Sequence, residues 1–119
     1  MEPVMQSQEM NSLLKIFIGE DAHFDGKPLY ESIVVKAREQ GLAGATVLRG
    51  PIGFGHSSRF RTPHILRISQ DLPVIVEIVD TKEKITAFLS LLEGMVKGGL
   101  VTLEQIQVVR YGPSQNKPG

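Results

Sequence analysis

The run Leu72–Asp80, LPVIVEIVD, restricts the fold more than any other stretch of the chain. It is short, β-branched and bounded by Asp71-Leu72-Pro73, which makes it a strand rather than a helix. Its apolar residues fill both sets of alternating positions: Val74, Val76 and Ile78 on one face, Ile75 and Val79 on the other. A strand of this kind needs cover on both faces of its sheet. Directly after it, Ile85, Phe88, Leu89, Leu92 and Val96 recur at the spacing of one helical face. Asp80 followed by Glu83 has the spacing of a capping box at the head of that helix, and Gly98-Gly99 is the expected stop.

The first half of the chain repeats this order. Leu13–Glu20, LLKIFIGE, reads as a strand, and Asp21–Lys27 as a loop. Pro28 fits the first position of a helix, with Glu31 in the first turn to complement the dipole. Leu29, Ile33 and Ala37 form its apolar stripe, flanked by Tyr30 and Val34, and Gly41 closes a helix over Pro28–Gln40. Ala45–Leu48 is extended, His64–Ile68 reads as a short extended piece, and Glu104–Tyr111 is the last strand. The predicted organisation is a polar, disordered tail over 1–11, one domain over 12–111 and a disordered tail over 112–119.

The predicted fold is therefore α+β: a ferredoxin-like β-α-β-β-α-β sandwich, an antiparallel sheet with both helices on one face. Helices on one face leave the other apolar face bare. In the last strand Ile106 and Val108 alternate with Val109 and Tyr111, and Val109 is expected to face away from the helices. An apolar patch of that extent is relieved by self-association, so a homotrimer closed through the open sheet face is expected.

The chemistry concentrates between the two halves. Arg49–Arg67, RGPIGFGHSSRFRTPHILR, holds four of the six arginines and two of the three histidines, and no Asp or Glu occurs from Gln40 to Gln70. In a chain of formal net charge zero, that local excess favours an anionic partner. Closely spaced glycines let backbone N–H groups converge on an oxyanion, and serine hydroxyls add donors. The candidate effector-binding residues are Arg49, Gly50, Gly53, Gly55, His56, Ser57, Ser58, Arg59 and Arg61. Such a loop should be mobile in the free protein and become ordered on binding an anion. Elsewhere, Glu20 and Asp21 are adjacent carboxylates at a strand end, read as a solvated loop start, and Tyr30 reads as half-buried core.

Over about residues 12–111, LLKIFIGED, GKPLYESIV, AREQGLAGATVLRGPIGFG, HILRISQDLPVIVEIVD and GLVTLEQIQVVRY closely resemble the uncharacterised PII-like family known as domain of unknown function one-ninety. Arg61 departs from its pattern, in which histidine is usual, as do Pro63 and His64, which replace a small residue and a lysine. The resemblance implies a ferredoxin-like subunit of a PII-like trimer. It further implies a small effector, such as an adenine nucleotide, bound between subunits, and a 49–63 loop that docks on a membrane transporter or an enzyme.

Other chemistries find less support. Gly50-x-x-Gly53-x-Gly55 lacks the lysine and the helix start of a nucleotide-triphosphate loop. His56 and His64 have no neighbouring ligands, so no metal site is assigned, although a divalent-metal-binding trimer related to ion-tolerance proteins is the alternative function. His56-Ser57 lacks an orienting carboxylate, so no catalytic residue is assigned and the chain is not read as an enzyme. Gly53-Phe54-Gly55 only partly matches an RNA-recognition signature, and a zero net charge argues against a nucleic-acid partner, so an RNA-binding ferredoxin-like module stands only as a further alternative. There is no cysteine, hence no disulfide, thiolate site or thiol nucleophile. MEPVMQSQEMN lacks the basic and apolar regions of a signal peptide, and no apolar run is long enough to span a bilayer. A cytoplasmic protein without membrane insertion is expected.

Overall fold

Antiparallel pairing around β1 (Met10–Gly19) organises the molecule. The computed structural model describes residues 10–50, 72–110 and 112. After β1 come a two-residue pairing of β2 (His23–Phe24) with β3 (Lys27–Pro28), helix α1 (Leu29–Glu39), β4 (Thr46–Arg49), β5 (Pro73–Asp80), helix α2 (Lys82–Leu92) and β6 (Leu100–Gln107). The main sheet has the order β4-β5-β1-β6, and each neighbouring pair is antiparallel. β1 and β4 therefore run parallel on either side of β5, as β5 and β6 do on either side of β1. This is the predicted α+β sandwich.

Register separates the two faces. Leu14, Ile16 and Ile18 of β1 stand opposite Ile78, Val76 and Val74 of β5, and all six are buried. They pack with Leu29, Ile33 and Ala37 of α1 and with Ile85, Phe88 and Leu92 of α2 in one core, so both helices lie on this face. The predicted stripes are the observed ones as far as Leu92, with Leu89 half-buried; Val96 lies past the end of α2 but still packs against this core, which Met95 joins. On the other face Leu13, Lys15 and Phe17 stand opposite Val79, Glu77 and Ile75 and stay half-exposed. Leu48 beside Ile75 and Leu100 beside Phe17 extend this open face to both edges, where they are 45% and 55% exposed.

Several local expectations need correction. β1 begins at Met10, inside the stretch read as a tail, because Met10–Ser12 find partners in Gln105–Gln107. The Asp21–Lys27 loop contains the β2–β3 hairpin, whose turn has Asp25 at φ 57° and Gly26 at φ 80°, the signs of a type I′ turn. Pro28 is the N-cap of α1 rather than its first helical residue, since its ψ of 132° still belongs to the hairpin. Gly41, at φ 77°, ends α1 as a Schellman motif: its N–H donates to the Arg38 carbonyl, and that of Leu42 to the Ala37 carbonyl.

The cap of α2 is Thr81, whose hydroxyl accepts the Lys84 N–H at 3.2 Å; it is not the Asp80–Glu83 box. The helix ends at Leu92, before Gly98-Gly99, and a turn through Gly94 and Met95 follows it. β6 accordingly starts at Leu100 rather than at Glu104. Ile106 pairs with Asn11 and so belongs to the open face, whereas Val109 lies beyond the strand, 62% exposed, and is not an open-face residue. The extended piece expected at His64–Ile68 lies outside the described residues.

Candidate functional site

Because β1 and β4 are parallel and α1 returns between them, the end of β1, the start of α1 and the end of β4 meet at one end of the sheet. The sequence places Glu20, Tyr30 and Arg49 at these three points. Arg49 stands opposite Val74, on the helix-covered face, which turns it toward the first turn of α1. Its Nη2 lies 2.9 Å from Glu20 Oε2. The same nitrogen donates a long hydrogen bond to the Tyr30 hydroxyl at 3.4 Å, and the guanidinium carbon lies 5.9 Å from the Tyr30 ring centroid. That distance is within cation–π range. The ion pair is partly solvated, with side chains 48% and 29% exposed, so its electrostatics are those of a surface pair.

The backbone around this cluster holds both ends of the 51–71 segment. Gly50 N–H donates to the Pro73 carbonyl at 2.8 Å, and Glu20 N–H donates to the Leu72 carbonyl at 2.8 Å. A Cβ at Gly50 would stand 2.9 Å from Pro73 Cγ, so the two chain ends approach too closely there for a larger residue. The turn between α2 and β6 reaches the same end: Gly99 packs against the Phe17 carbonyl and the Ile18 side chain.

Of the predicted effector-binding residues, Arg49 and Gly50 fall at this base. Gly53, Gly55, His56, Ser57, Ser58, Arg59 and Arg61 lie outside the described residues. The expectation of an arginine cluster without internal neutralisation does not hold at Arg49, which Glu20 neutralises. Glu20, which the sequence alone reads as a solvated loop start, and Tyr30, half-buried against the core as read, are both joined to Arg49 in the structure. The signal that could have found them is topological, since a split β-α-β unit carries the ends of its parallel strands to the same side.

At the opposite end of the sheet a cleft of about 550 Å³ opens between Asn11, Gly44, Thr46, Glu77 and Asp80. The Asp80 carboxylate in its wall is already engaged, accepting the Ala43 and Thr81 N–H groups at 2.8 and 2.7 Å. Among the described residues no group of three or more His, Cys, Asp or Glu is placed to hold a metal ion, and no helix is long and apolar enough to cross a membrane.

With this geometry in place, comparison with known proteins gives a family. The family DUF190, described as "Uncharacterized ACR, COG1993", matches residues 11–108. The chain belongs to this family. It is 43% identical over 97 residues to a UPF0166 protein of Aquifex aeolicus (strain VF5), covering 82% of this chain and 91% of that one. Among solved structures it is similar to CPII of Thiomonas intermedia K12 bound to ADP and bicarbonate, with a TM-score of 0.61 and 20% identity over 86% of this chain and 91% of the other. It is also similar to a PII-like signaling protein of Thermus thermophilus, with a TM-score of 0.59 and 16% identity over 84% and 90% of the two chains. At these identities the likeness establishes a PII-like fold.

Proposed function

We propose that the protein is a non-enzymatic, PII-like regulatory subunit. It forms a homotrimer, binds a small anionic effector, an adenine nucleotide, between subunits near the 49–63 loop, and docks that loop on a partner transporter or enzyme. The observation that carries this reading is the position of Arg49 and Gly50, where the arginine-rich segment leaves the sheet of a PII-like fold. The ADP in the Thiomonas intermedia CPII structure is the reason for naming an adenine nucleotide. The open face bearing Leu13, Phe17, Leu48, Ile75 and Val79 supports the trimer, since a second copy would cover it.

Calorimetry with ATP, ADP, AMP and cyclic nucleotides tests the reading on wild type and on an Arg49→Ala, Arg59→Ala, Arg61→Ala triple variant. Binding by wild type that the variant loses, in a trimer that stays intact, supports it. Equal binding by both moves the site elsewhere, and binding by neither returns the loop to a docking role alone.

A further inference from the structure

The guanidinium that should receive an anion already holds one. Glu20 Oε2 sits 2.9 Å from Arg49 Nη2, and the Tyr30 ring centroid lies 5.9 Å from the guanidinium carbon. A carboxylate offers arginine the same paired oxygen acceptors as a phosphate does. An incoming anion therefore meets a positive charge that is already neutralised, beside a negative charge that repels it.

We propose that Glu20 is an internal competitor for Arg49, a residue that sets the affinity of the site for anions. The inference rests on the reading of Arg49 as an anion-binding residue. A pair this exposed is weak, so a phosphate group carrying more than one charge displaces Glu20 from Arg49. Any anion that takes the place of Glu20 at Arg49 breaks the same contact, so the competitor weakens every such ligand by about the same factor.

The test is calorimetry of the full chain with ADP, inorganic pyrophosphate and acetate, on wild type, Glu20→Gln and Glu31→Gln. Glu31, next to Tyr30 in the first turn of α1, is exposed, and its variant makes the same change of net charge. Glu20→Gln should bind ADP and pyrophosphate roughly two- to five-fold more tightly than wild type, the range a surface pair supplies. Acetate binding, where measurable, should improve by a similar factor, while Glu31→Gln should match wild type. Glu20→Ala gives the same direction and serves if the glutamine variant misfolds. Unchanged ADP affinity in Glu20→Gln overturns the competitor and leaves the nucleotide-binding reading standing. An equal gain in Glu20→Gln and Glu31→Gln overturns it in favour of net charge. Absence of ADP and pyrophosphate binding in all variants overturns the competitor and the nucleotide-binding reading together.

Discussion

The Asp80 carboxylate accepts the Ala43 backbone N–H at 2.8 Å, joining the end of β5 to the turn that leads from α1 into β4. Its other oxygen accepts the Thr81 N–H at 2.7 Å, and nearby Lys84 Nζ reaches the Gly41 carbonyl at 3.5 Å. One side chain thus fixes the start of α2 and the approach to β4 at once. Asp80→Ala should lower stability by about 1–2 kcal/mol, the lower part of the range for hydrogen bonds to a charged acceptor, because the Ala43 contact is exposed. Asp80→Asn, which keeps one acceptor oxygen, should cost less. Urea unfolding midpoints measure both, and an unchanged midpoint in the alanine variant refutes the role.

The identity of the α2 cap makes a separate prediction. Thr81 Oγ1 accepts the Lys84 N–H, so Thr81→Ala should cost about 1 kcal/mol, whereas Glu83→Ala, in the exposed first turn, should cost less than about 0.5 kcal/mol. The reverse order in thermal melts would restore the capping box headed by Asp80.

Gly99 has φ 90°, and a Cβ there would collide with the Phe17 carbonyl and come within 3.1 Å of Ile18 Cγ2. Backbone strain in a non-glycine residue and the collision with a strand carbonyl add, so Gly99→Ala should cost at least about 2 kcal/mol. Gly94, with a nearest approach of 3.7 Å, should tolerate alanine far better. Paired denaturation curves of the two variants check the difference.

The open face predicts where assembly breaks. Ile75 lies between Phe17 and Leu48 on that face and is not part of the buried core, so Ile75→Glu should leave the subunit folded. An uncompensated carboxylate at the interface of the proposed trimer would cost several kcal/mol, enough to dissociate it at micromolar concentration. Sedimentation velocity should show a folded monomer. A trimer of unchanged stability would show that this face is not the interface.

What was legible in the sequence depended on how many independent signals met at each residue. Leu29, Ile33 and Ala37, and likewise Ile85, Phe88 and Leu92, combine spacing with flanking stops, and they are the core. β6 was displaced by four residues because Leu100, Val101, Leu103 and Ile106 occupy both parities of an edge strand. No alternation marks where such a strand begins, and the Gly98-Gly99 pair drew the helix boundary past Leu92. The hairpin at Asp25-Gly26 did carry a sequence signal, the Asp-Gly pair, but its strands are too short to alternate. At the candidate site, Arg49 and Gly50 stand out by composition. The connection of Arg49 to Glu20, 29 positions earlier, exists only because β1 and β4, parallel on either side of β5, end at the same end of the sheet.

The last prediction separates what the Arg49–Glu20 pair does for stability from what it does at the site. At 48% and 29% side-chain exposure the two charges interact largely through water, and holding two long side chains together costs rotamer freedom. A double-mutant cycle with Arg49→Met and Glu20→Gln, read by urea unfolding, should give a coupling of only about 0.2–1 kcal/mol. Raising the salt concentration to about 1 M, where the screening length falls to about 3 Å, should reduce it further. The single Arg49 variant should lose somewhat more than the coupling, because its stem and guanidinium also cover the Tyr30 ring. A coupling above about 2 kcal/mol would mean that the pair is a buried structural element. Glu20 would then be too costly for an anion to displace, and the proposed competition at Arg49 would fail with it.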